Sequence, residues 1–205
     1  MDKVKVFFVK AWALLKKVKY NSPVILTYAL ISLFVFIIDR IAGGQANRLL
    51  FSVYRASWGE PLAYVRVFTY ALGHISIQHY FSNFLIILLV GPLLEERYGS
   101  IKLLIMVAAT ALITGVAFLI FNPPGMAGLG ASGVAFMLIL LASVTNAEKG
   151  RLPLTLLFAL VVYIGAEVFN EVGAGDTAIS HVSHIIGGLC GAVFGLFLGK
   201  VKYVK

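Results

Sequence analysis

Long, predominantly apolar runs, each closed by charge or by a turn, organise this chain. Residues 23–38 run apolar up to Asp39-Arg40, and residues 75–94 do so up to Glu95-Glu96-Arg97. Between Lys102 and Glu148 lie 45 residues without Asp, Glu, Lys or Arg, divided by Asn122-Pro123-Pro124-Gly125, a strong turn signal. Two further runs follow, 152–169 with one carboxylate, Glu167, and 178–199. A helix needs about 20 such residues to cross the hydrocarbon core. The pattern predicts six spans, near 21–39, 75–94, 103–121, 130–146, 152–170 and 178–199, in an all-α polytopic membrane bundle.

The rest of the chain is short. In residues 1–20, Val4, Phe7, Phe8, Ala11, Trp12, Leu15 and Val18 alternate with lysines at helical spacing. That predicts a basic amphipathic helix on the inner membrane surface, ahead of a single membrane domain over 21–205. The 34 residues from Arg40 to Gly73 are long for a bundle connection and rich in aromatics, which places them in the outer interface.

Composition narrows the class. Apolar residues make up 60% and charged residues 13%, with a mean hydropathy of +0.94, against about 45–50% and about 25% in soluble domains. A water-soluble fold, a disordered chain and a collagen-like fibre are excluded. One cysteine, Cys190, rules out a disulfide framework or a Cys-based zinc site. The net charge of +8 could suggest nucleic acid, but the charges flank the apolar runs. With both termini on one side, that side holds 13 of the 17 Lys and Arg residues, and Arg40, Arg48, Arg55 and Arg66 lie on the other. The positive-inside rule makes the first side cytoplasmic, so the basic charge serves topology and no nucleic-acid partner is implied.

Polar groups inside a membrane are costly, so each is a functional candidate. The four histidines, His74, His79, His181 and His184, fall at the outer ends of the second and sixth spans. Asn83 follows His79 by one helical turn. Ser132 stands in Gly130-Ala131-Ser132-Gly133 at the outer start of the fourth span. Spans two, four and six run in one direction, so His79, Asn83, Ser132 and His184 lie at similar depth. A serine among glycines also occurs as plain helix packing. A histidine at the same depth adds chemistry: imidazole takes the hydroxyl proton, the oxygen attacks an acyl carbon, and the imidazolium protonates the leaving amine. Side-chain donors on His79 and Asn83, with the Ser132 backbone N–H, could hold the oxyanion.

The sixth span carries Gly187, Gly191, Gly195 and Gly199 at four-residue spacing, a face that admits a close neighbour. At about 100° per residue, His184 lies on that face, within about 20° of Gly191 and Gly195, whereas His181 is rotated about 60° away. Helical phase therefore selects His184 over His181 as the base, with the fourth span as the neighbour.

These residues together resemble the rhomboid family of intramembrane serine proteases. Gly130-Ala131-Ser132-Gly133 is similar to the family's Gly-x-Ser-Gly, with Ser132 at the nucleophile position. His184 through Gly187 to Gly191 is similar to its His-x-x-Gly-x-x-x-Gly, and His79 to Asn83 to its His-x-x-x-Asn. Glu95-Glu96-Arg97-Tyr98-Gly99 resembles the Glu-x-Arg-x-Gly that follows. Three positions depart from the pattern: Val65 precedes Arg66 where the family carries Trp, Leu129 precedes Gly130 where glycine is common, and Phe136 stands where a Tyr often stacks on the catalytic His.

The resemblance implies a six-helix rhomboid-like bundle that cleaves membrane-protein substrates near their outer ends. It implies a Ser132–His184 dyad, without metal or cofactor. A prokaryotic plasma membrane is the expected location, with cytoplasmic termini and the site toward the outer side. Two other readings remain at this level. One is a rhomboid-like protein that binds membrane clients without cutting them, although such members typically lack the serine or histidine. The other is a metal site or transporter built on the four histidines, although the chain has no His-Glu-x-x-His and no thiolate pair.

Overall fold

The computed structural model describes residues 19–57, 59–121, 125–146 and 178–198, with single helical positions at 5, 6, 12, 154, 157, 158, 161 and 165. Most of the expected surface helix over 1–20, most of the fifth span with Glu167, and the His181 side chain lie outside the described residues.

Helix α1, Pro23–Ile41, is opened by Pro23, whose missing N–H is one that a helix start leaves unbonded in any case. Gly43 and Gly44 then turn the chain at φ +62° and +85°, a region that costs glycine little, into the short α2, Gln45–Leu50. Strand β1, Val53–Tyr54, and helix α3, Pro61–Thr69, follow, and a 3-10 turn at Tyr70–Leu72 leads to the second span. The 40–73 connection is thus a folded layer of short elements, a detail its aromatic content did not disclose. Helix α4 is Ile77–Tyr98, with the Ser76 hydroxyl oxygen capping it by accepting from the His79 N–H at 3.1 Å.

The apolar run ends at residue 94, but the helix does not. Helix α4 continues through Glu95, Glu96 and Arg97 and stops at Gly99, φ +83°. Charge ends an apolar run but need not end a helix, because Glu95 finds partners inside the protein. Helix α5, Ser100–Phe121, starts directly after that glycine. Strand β2, Ala127–Gly128, pairs antiparallel with β1, Val53 opposite Gly128 and Tyr54 opposite Ala127. Helices α6, Ser132–Asn146, and α7, Ala178–Leu198, complete the described elements.

Among the described residues, α1, α4 and α5 are long and apolar enough to cross a membrane, and α6 and α7 contribute shorter apolar stretches. Their outward faces carry Phe34, Leu85, Leu93, Ile101 and Phe197, all exposed. In water that surface would aggregate; in lipid it is the favourable one. Helix α6 differs. Ala135, Met137, Leu138 and Leu141 are fully buried, so it is covered on every side and forms the centre of the bundle.

Backbone contact between α6 and α7 explains the glycine spacing. A Cβ placed on Gly187 would lie 2.1 Å from the Gly133 carbonyl oxygen, and one on Gly191 would lie 2.2 Å from that of Met137. Neither oxygen can move without moving its helix, so the interface admits only hydrogen at these points.

Candidate active site

Ser132 is the first residue of α6, where the initial N–H groups of a helix have no intrahelical acceptor and the positive end of the helix dipole emerges. The preceding Gly130 has φ +128° and donates its N–H to the Tyr70 carbonyl at 3.0 Å, which fixes the approach of the loop. The Ser132 hydroxyl makes no hydrogen bond to the described residues.

Phe136 lies one turn after Ser132, on the same face of α6. Its ring stacks on that of His184, with centroids 4.3 Å apart and planes at 15°. Beside this pair, a Cβ on Gly133 would lie 3.4 Å from the Ser183 carbonyl oxygen. Helix α7 is therefore held so that His184 sits against the Ser132–Phe136 face, buried to 7% exposure, and Ser132 is buried to 9%.

The other wall comes from α4. A Cβ on Gly130 would meet His79 Cε1 at 2.7 Å and Nε2 at 2.8 Å, with Asn83 Nδ2 at 3.6 Å. The loop before Ser132 thus lies directly on His79 and Asn83, and a side chain in place of Gly130 would push them away. The structure brings all four residues, Ser132, His184, His79 and Asn83, around the start of α6.

Behind them is a chain of buried polar groups that sequence reasoning did not assemble. Asn83 Nδ2 donates to His74 Nε2 at 3.2 Å, and His74 Nδ1–H donates to the Leu72 carbonyl at 3.2 Å. Burial, with His79 close by, lowers the His74 pKa from its ordinary 6.5 to about 3, so the ring stays neutral and its Nε2 remains an acceptor. Asn47 Nδ2 donates to the His74 carbonyl at 3.1 Å and to Asp39 Oδ2 at 2.9 Å, while the Asn47 N–H reaches Asp39 Oδ1 at 2.8 Å. Asp39 and His74 are both fully buried. His74 lies ahead of α4, so helical spacing could not pair it with Asn83. The available signal was its place among the four histidines.

Of the other motif residues, Arg66 is buried on α3, paired with Glu60 Oε1 at 2.6 Å and lying 4.2 Å from the Tyr54 ring centroid. Its neighbour Val65, at the position where the family carries Trp, is exposed. Glu95 accepts from the Ser22 hydroxyl, from the N–H groups of Val24 and Ile25 at 3.0 and 3.1 Å, and from the Ser100 hydroxyl at 2.7 Å. It thereby satisfies the start of α1 and ties it to α4 and α5. Arg97 Nη2 donates to the Thr145 carbonyl at 3.1 Å, near the end of α6. These three stand away from the serine and histidine and hold helices.

Long apolar helices around a buried central helix, with a serine and histidine packed at its start, define an integral membrane protein of the rhomboid class. The family model for the rhomboid domain matches residues 61–201, and the chain belongs to the rhomboid family, whose members are generally intramembrane serine proteases acting on membrane-protein substrates.

Proposed function

We propose that this protein is an intramembrane serine endopeptidase working through a Ser132–His184 dyad. The observation that carries the reading is the stack of His184 on Phe136, one helical turn after Ser132. His184 takes the hydroxyl proton as the Ser132 oxygen attacks the scissile carbonyl carbon. The resulting oxyanion accepts from the Ser132 N–H at the α6 start and from the side chains of Asn83 and His79. Collapse expels the amine, which receives the proton from His184. A water, deprotonated by the same imidazole, then releases the acyl group. No metal or cofactor takes part in these steps.

Depth supports intramembrane cleavage. Helix α6 has 15 residues and is about 22 Å long, less than the roughly 30 Å of hydrocarbon. A helix of that length anchored toward the cytoplasmic side would start below the outer interface, which supports a site at Ser132 inside the membrane's thickness. The basic split supports cytoplasmic termini with the Ser132 end of α6 toward the outer side, and a prokaryotic plasma membrane is part of this proposal.

A fluorophosphonate should modify Ser132, read by peptide mass spectrometry. A labelled single-span client should be cut by the wild type and left intact by Ser132→Ala. An adduct on another serine, with Ser132→Ala still active, would reject the dyad.

A further inference from the structure

A cleft of about 500 Å³ opens between α2, the β1 edge and residues 125–129. Arg40, Arg48 and Arg55 line it, together with Ile75, Ala127 and Leu129. Its one acidic lining residue, Asp39, is fully buried and already accepts from Asn47 and from Arg40 at 2.9 Å. Three guanidiniums against one carboxylate leave two positive charges in the lining. Two of the three are committed. Arg40 pairs with Asp39, and Arg55 donates to the carbonyls of Leu119 and Ile120 at 3.1 and 2.7 Å, closing the end of α5. Arg48 is exposed, and among the described residues its guanidinium has no hydrogen bond or ion pair. A planar fork of N–H donors with no protein acceptor, set in a cationic cleft, is matched to a carboxylate.

The position of the cleft decides whose carboxylate. Ala127 and Leu129 run directly into Gly130 and Ser132, and Ile75 leads into the helix that carries His79 and Asn83. Both walls are continuations of the site, and three residues of chain span at most about 11 Å. We propose that the cleft is a specificity subsite in which Arg48 binds an acidic side chain of the client a few residues from the scissile bond. Arg40 and Arg55 supply the surrounding positive potential. The inference rests on the endopeptidase reading above and adds to it the charge of the client that is preferred.

The test uses the full-length protein in phosphatidylcholine bilayers and single-span clients carrying Asp, Asn or Lys at one flanking position at a time. At one position, Asp→Asn in the client should lower kcat/KM about tenfold. Arg48→Gln should erase that preference, so that the Asp and Asn clients are cut at the same rate, and Arg48→Glu should turn the preference toward Lys. Cleavage with no charge preference at any position, or a preference that survives in Arg48→Gln, overturns the subsite and leaves the endopeptidase reading standing. Equilibrium binding of the same clients to Ser132→Ala gives a second readout. If the wild type cuts nothing but Ser132→Ala still binds the Asp client through Arg48, the endopeptidase reading fails and the carboxylate site stands. If Arg48 instead responds to phosphatidylglycerol added to the bilayer and not to the client, the cleft belongs to lipid and the proposal is overturned.

Discussion

The two ends of helix α4 handle polarity in opposite ways. At the Tyr98 end, Glu95 has four donors, Arg97 reaches the Thr145 carbonyl, and the Tyr98 hydroxyl meets Thr145 Oγ1 at 2.5 Å. Each bond ties α4 to another helix or to the residue that caps it, and the result is a fastening. At the His79 end, the ordering bonds lie one layer back, in Asp39, Asn47 and His74, while the Ser132 hydroxyl in front has no bond to the described residues. The lesson is a division of labour along one helix. Bonds satisfied within the fold stabilise it, whereas a donor held in place by its neighbours but left open is available to a reacting group.

The sharpest break of this comparison is His184→Ala. It should lower kcat by about 10⁴-fold or more, as losses of a dyad member do, while the thermal midpoint moves little. Cleavage kinetics and a melting curve on the same sample test it; parallel loss of both would place His184 among the fastenings.

Asn83→Ala should cost about 10²–10³-fold in kcat, less than loss of the serine, because the Ser132 N–H and His79 still face the oxyanion. Complete loss in a folded variant would give Asn83 a different role.

Glu95→Ala should do the reverse of His184→Ala. Removing a buried carboxylate with four donors should cost about 3 kcal/mol of stability, since each donor it served is left unsatisfied. The fraction that remains folded should turn over at close to the wild-type rate. Denaturation measured beside active-site titration separates the two quantities.

The smallest effect concerns acid. The His74 pKa falls from 6.5 to about 3 on folding, so below pH 6.5 the unfolded chain binds a proton that the folded one refuses. Stability from this group is full above pH 6.5 and falls as acid is added, by about 2 kcal/mol at pH 5. Melting curves at pH 7 and pH 5 should show that loss in the wild type and a smaller one in His74→Gln.

Much of this architecture was legible in the chain. Apolar runs of membrane length, bounded by charge, are dictated by a solvent that cannot satisfy the backbone, so α1, α4 and α5 follow from composition and length. Small residues every four positions on α7 reported an interface, because only glycine admits a carbonyl oxygen about 2 Å from a would-be Cβ. The motif around Ser132 and the phase of His184 put both residues on helices that pack face to face. Only the tertiary structure could decide the rest. The 40–73 connection has no single period, so its α2, β1 and α3 segments are defined by what they pack on, and β1 exists because residues 127–128 pair with it. Glu95 reads in sequence as the end of a span; it lies inside a helix because donors from residues 22–25 and from Ser100, one of them 73 positions away, converge on it. The Asp39–Asn47–His74–Asn83 chain joins residues from α1, α2, the segment before α4 and α4 itself. Local spacing governs which residues share a face of one helix; which faces meet, and which buried polar groups find each other, is settled only when the helices pack.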